Sequence, residues 1–120
     1  MAFKFAAAVM VAALALPAAA QDRGPVQRQA LSDLSATMGQ SHALRRTCGD
    51  PEDLYWFSRM ERLLELEAPE AGLKTRLILA FNRGYQATQV SFPSCTPAAK
   101  AEAARTAARG QALAARLASP

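Results

Sequence analysis

Cys48 and Cys95 are the only two cysteines of this 120-residue chain, so they allow a single intramolecular bond, and its formation constrains the fold more than any other feature. The setting for that bond is read from the first residues. Lys4 supplies a short positive start, Phe5 to Leu16 is an unbroken apolar run, and Pro17 leads into Ala18, Ala19 and Ala20, the small-residue pattern of a signal-peptidase site. A run of about a dozen residues is too short to span a bilayer, which needs roughly 20. Residues 1–20 are therefore expected to be a signal peptide cleaved after Ala20, leaving an exported chain with no transmembrane segment. No cysteine adjoins the cut, so no lipid anchor is expected.

In an oxidising compartment the cysteine pair reads as a structural disulfide. Closing a loop of about 48 residues removes chain entropy worth roughly 4 kcal/mol, a large share of the ~5–15 kcal/mol that holds a small domain. A redox or metal role has less behind it, because there is no C-x-x-C motif and His42 is the only histidine. No metal and no cofactor is expected.

Loss of Lys4 leaves 13 basic residues against 10 acidic ones, a net +3 in place of the +4 of the whole chain. An excess that small, spread along the sequence, does not argue for nucleic acid. Roughly 100 residues remain after cleavage, the size of one domain.

Residues 21–26 are polar with Gly24 and Pro25 and read as a disordered lead-in. The helical domain is expected over 27–118. Ala30, Leu31, Leu34, Met38 and Ser41 recur at helical spacing and predict a first helix to about Thr47. Asp50-Pro51-Glu52-Asp53 places a capping carboxylate, a proline and two acids in the order of a helix start, and predicts a second helix from there. Its Trp56, Phe57, Met60, Leu63 and Leu64 form the strongest amphipathic arc of the chain. A third helix is expected from about Pro69 or Glu70 to Val90, carrying Leu77, Phe81, Gly84, Tyr85 and Thr88 on one face. A glycine in that face costs about 1 kcal/mol and predicts the close approach of another helix. Thr96-Pro97 starts a last, alanine-rich helix to about Leu117. No alternating run argues for a sheet.

The chemistry-bearing residues are sparse. Ser41-His42 is the one adjacency resembling a nucleophile and its base, but consecutive helical residues point about 100° apart and no Gly-x-Ser-x-Gly context is present. Asp50, Glu52 and Asp53 lack the donors and glycine loop of an oxygen-ligand cation site, and helix capping accounts for them. Arg45 and Arg46 complement the carbonyl end of the first helix, with an anion or acidic-partner contact as the functional alternative. Arg105, Arg109 and Arg116 fall within about 40° on the last helix and form a basic stripe, either a solvated face or a contact for an anionic envelope component. Asn82 and Arg83 are further binding candidates. Tyr55 and Leu66 share a flank of the second helix and either widen the core or mark a contact surface.

Thr47-Cys48-Gly49, then Trp56, Met60, Leu63 and Glu67-Ala68-Pro69, then Ala80-Phe81-Asn82-Arg83-Gly84-Tyr85, and finally Ser94-Cys95-Thr96-Pro97-Ala98-Ala99 stand in an ordered spacing. That set resembles a family of small exported alphaproteobacterial proteins, a domain of unknown function. The resemblance implies a Gram-negative periplasm and a one-domain helical protein, and it implies no reaction.

The expected fold is a small all-α single-domain bundle of about four helices with one disulfide, Cys48–Cys95. The leading functional expectation is a non-enzymatic periplasmic interaction or regulatory module that binds a protein or an envelope component, with no catalytic residue. A small enzyme or enzyme subunit acting on cell-envelope polymers is the first alternative, with Glu61, Glu65 or Glu67 as acid and base. A stress or chaperone-like binder is the second, and it requires an exposed apolar patch joining Tyr55 and Leu66. The sequence leaves the oligomeric state open.

Overall fold

A computed structural model describes residues 23–119 as four helices: α1 (Pro25–Thr47), α2 (Tyr55–Glu67), α3 (Ala71–Ser91) and α4 (Pro97–Ala118). The expected signal peptide and its cleavage point lie outside the described residues. None of the described helices is long and apolar enough to cross a membrane.

Helix α1 begins earlier than its apolar spacing suggests. Pro25 occupies the first helical position, where its missing N–H costs nothing, and Gln27 Oε1 accepts the Gly24 N–H at 3.3 Å. Pro25 and Val26, expected in a disordered lead-in, are thus the first turn of the helix. Arg23 is also held: it donates to both carboxylate oxygens of Glu67, at 2.8 and 3.1 Å, and to the Leu117 carbonyl at 3.2 Å. One guanidinium so joins the entry of α1 to the ends of α2 and α4.

Helix α2 starts later than expected, at Tyr55 instead of Pro51. Asp50 Oδ1 accepts the Glu52 N–H at 2.9 Å and the Asp50 carbonyl accepts the Asp53 N–H at 3.0 Å, so Asp50 to Asp53 form a tight turn. Aspartate followed by proline opens a turn as readily as a helix, because both need the same backbone φ and the same side-chain acceptor. Asp53 Oδ1 then accepts the Tyr55 N–H at 2.9 Å. The helix closes on Ala68, whose φ of 42° is left-handed, ahead of Pro69. Helix α4 starts as read: Thr96 Oγ1 accepts the Ala99 N–H at 3.1 Å with Pro97 next.

Helix α1 is the axis of the bundle, with α3, α4 and α2 laid against it in decreasing extent. Its buried residues are consequently more than one stripe. Ala30, Leu31 and Met38 are buried as expected, and so are Ser35, Thr37, Gly39, His42, Ala43 and Leu44 around the helix. Ser35 and Thr37 satisfy their hydroxyls on the carbonyls of Leu31 and Asp33, one turn back. Leu31, Met38, Met60, Leu73, Leu77 and Phe81 form the core cluster.

The α1–α3 crossing is made by two glycines. A Cβ added at Gly84 would overlap the Ala36 carbonyl oxygen and lie 3.0 Å from its carbon. One added at Gly39 would overlap the Phe81 carbonyl oxygen and lie 3.0 Å from the Tyr85 nitrogen. The close approach expected at Gly84 is therefore present, and it is reciprocal. At the far end, the Cys48–Cys95 disulfide joins the end of α1 to the segment before α4, with Cα atoms 4.8 Å apart.

Candidate interaction surface

Helix α2 carries the strongest apolar arc in the sequence, yet Met60 is its only buried residue. Trp56, Leu63 and Leu64 are half-buried, and Phe57 remains 44 % exposed. The cause is where α2 sits. It rests on α1, while its contact with α3 is slight, so the side of the arc turned toward α3 stays open. Between the two helices runs a groove of about 250 Å³, walled by Phe57, Leu64, Ile78 and Phe81, with Met60 at its base and Glu61 and Asn82 beside it. Ile78 is 37 % exposed, and Leu79 next to it more so.

Beneath Phe57 lies a buried aromatic cluster. The ring of His42 is 5.0 Å from that of Tyr85, 5.7 Å from Phe81 and 6.3 Å from Phe57, centre to centre. His42 is 4 % exposed and its Nδ1 has no hydrogen-bond partner among the described residues. Burial lowers its pKa, the Arg46 charge lowers it further, and Asp53 opposes both. Ser41 instead lines the other side of α1, and no hydrogen bond joins the two residues. The signal for His42 was present in the sequence: it stands four residues after Met38, on a buried face.

The arginines at the end of α1 divide their tasks. Arg45 pairs with Asp53 at 2.7 Å and stacks 4.7 Å over the Tyr55 ring. Arg46 donates to the Pro51 carbonyl and, at 3.1 Å, to the Tyr85 hydroxyl. Both thus brace the turn that leads into α2. Arg45, Asp50, Asp53 and Trp56 border a second cleft of about 480 Å³ beside the disulfide.

The other expected candidates are dispersed. Asn82 lines the α2–α3 groove, whereas Arg83 is exposed and turned about 100° from it. In the basic stripe, Arg105 and Arg109 both pair with Glu102, at 3.0 and 3.2 Å, and Arg109 also reaches Gln40 on α1. Among the described residues Arg116 makes no ion pair, so the stripe presents less free charge than three arginines suggest.

Tyr55 and Leu66, 42 % and 51 % exposed, do not form one apolar patch. Arg59 and Arg62 fall between them on the same flank, and Arg59 donates to the Tyr55 hydroxyl at 3.0 and 3.2 Å.

The three glutamates considered for acid–base work do not stand together. Glu61 and Glu65 are exposed and Glu67 is tied to Arg23. Among the described residues, the carboxylates whose pKa is displaced, Asp53, Glu70 and Glu102, are displaced downward. Hydrogen bonds from Arg45 and the Tyr55 N–H hold Asp53 low, and one from Arg28 holds Glu70 low. Burial works against the charge of Glu102, but hydrogen bonds from Arg105 and Arg109 outweigh it. A general acid needs the opposite shift. Among the described residues no three His, Cys, Asp or Glu side chains are grouped to hold a metal ion.

The family described as Protein of unknown function (DUF2385) matches residues 25–120. The chain belongs to that family. No curated protein and no solved structure matches it. The family match opens at the first residue of α1 and takes in all four helices, so the glycine crossing, the disulfide and the open face of α2 lie within one family unit.

Proposed function

We propose that the protein is a non-enzymatic interaction or regulatory module of the Gram-negative periplasm, exported by its first 20 residues, that binds another protein through the open side of α2. The observation that carries this reading is the exposed apolar wall of Phe57 and Ile78 on either side of the α2–α3 groove. A small domain with an amphipathic helix normally turns the whole apolar arc inward. An arc left partly open beside a second exposed apolar wall is the form that a partner contact takes.

The test is site-specific photo-cross-linking in intact cells, with the reactive group placed at Phe57 and, as control, at the exposed Lys100 of α4. One adduct of defined mass from Phe57 and none from Lys100 is expected. Equal yields from the two positions would defeat the reading. Export is checked on the same material by the intact mass of the periplasmic species, which should begin at Gln21 and lose two protons relative to its reduced form.

A further inference from the structure

The geometry points to the class of partner that the α2–α3 groove takes: a basic amphipathic helix, whose apolar residues enter the groove and whose Lys or Arg meets Glu61. This inference rests on the interaction-module reading. Phe57, Glu61 and Leu64 stand on successive turns of α2, and together span about 10 Å along the helix axis. A partner helix presents its own anchors at i, i+3 or i+4, and i+7 over the same length, the pattern of helix-in-groove recognition.

Charge selects among such helices. Glu61 is the one charged side chain that lines the groove, it is exposed, and it makes no ion pair among the described residues. The α3 wall adds Ile78, Phe81 and the neutral Asn82. Glu65, one turn after Glu61, is engaged only by Arg62 at 3.2 Å, in a pair whose members are 58 % and 70 % exposed, so it is readily exchanged for a partner cation. The groove lining thus holds one carboxylate without an ion pair among the described residues, on a chain whose net charge is +3 once the first 20 residues are removed.

The probe is a fluorescein-labelled synthetic helix of about 20 residues, with leucines at i, i+3, i+4 and i+7 flanked by lysines. A second peptide has glutamate in place of every lysine. Binding to the disulfide-intact protein is read by fluorescence anisotropy, with far-UV circular dichroism confirming that each variant is folded. The lysine peptide is expected to bind, and Phe57→Ala to weaken it about tenfold or more. Glu61→Lys should weaken it about fivefold and strengthen the glutamate peptide, since an exposed pair contributes little more than that.

Equal binding of both peptides, weakened by Phe57→Ala and indifferent to Glu61→Lys, would overturn the charge selection and leave the interaction-module reading standing. Failure of both peptides with a protein that sediments as a dimer, dissociated by Phe57→Ala, would make a second copy the occupant and overturn the inference. Failure of both with a protein that stays monomeric would overturn the inference and remove the groove from the functional reading.

Discussion

The contact of α3 with α1 and the seat of α2 are built on opposite principles. At the α1–α3 crossing two backbones meet through Gly39 and Gly84, with no room for a single added carbon at either position. At α2 the side chains are large and apolar, and much of their surface stays in water. The first arrangement has one geometry, because a carbonyl oxygen cannot yield as a side chain can. The second is held at its ends, by Arg45–Asp53 and Arg23–Glu67, and leaves Phe57 and Leu64 partly in water between them. The domain thus sets a close-packed frame beside an open face, and the strongest hydrophobic signal in the sequence belongs to the face.

The covalent tie bears on the frame most heavily. Replacing Cys48 and Cys95 by serine should lower stability by about 4 kcal/mol in urea unfolding, from the chain entropy released to the unfolded state. A loss under about 1 kcal/mol would mean that the glycine crossing holds the frame without it. Gly84→Ala should cost about 3 kcal/mol, at the upper end of overpacking, because the added methyl meets backbone. A near-neutral result would show that α1 and α3 can part to admit the methyl.

Acid comes next and acts where frame and face touch. The folded state holds His42 neutral with a pKa below 6.5, so the unfolded chain takes up the proton first as pH falls. Stability from this group is present above about pH 6.5 and is lost as pH drops from there toward the folded pKa. Unfolding measured between pH 7.5 and 5, above the window in which Asp53 and Glu70 titrate, should show this slope, and His42→Phe should flatten it. An unchanged slope in the variant would assign it to other groups.

On the face itself, Phe57→Ala should lower stability by less than the ~3–5 kcal/mol usual for a buried phenylalanine, by about 1 kcal/mol, because nearly half the side chain is already hydrated. A loss near the buried value would break the comparison. The smallest effect is a gain. Ala68 ends α2 with a left-handed backbone that glycine adopts without penalty, and Ala68→Gly should raise stability by about 0.5–1 kcal/mol. Thermal denaturation of the paired proteins would resolve it.

Much of the frame was legible in the sequence because its signals are local. Thr96-Pro97 marked the start of α4, and Gly84 announced a close crossing by standing in the face of α3. The disulfide pairing left no alternative. The start of α2 was misplaced because Asp50-Pro51 has the same local chemistry in a turn as in a helix. Gly39 was overlooked because a glycine in a helix of small residues stands out less than one between Phe81 and Tyr85. The open face was invisible for a deeper reason. Periodicity shows that Trp56, Phe57, Met60, Leu63 and Leu64 share an arc, but which part of an arc is covered depends on where the neighbouring helices lie. The same limit applies to the basic stripe, whose charge is reduced by Glu102 from its own helix.

The Cys48–Cys95 bond encloses α2 and α3 in a covalent ring, with a separation of 47 residues between its ends. A partner that pulls on α2 therefore loads a closed circuit whose two ends are fixed to α1 and α4. Under such traction α2 can peel away only as a tethered flap, and the slack available to it is set by the segments on either side, 48–54 and 68–70.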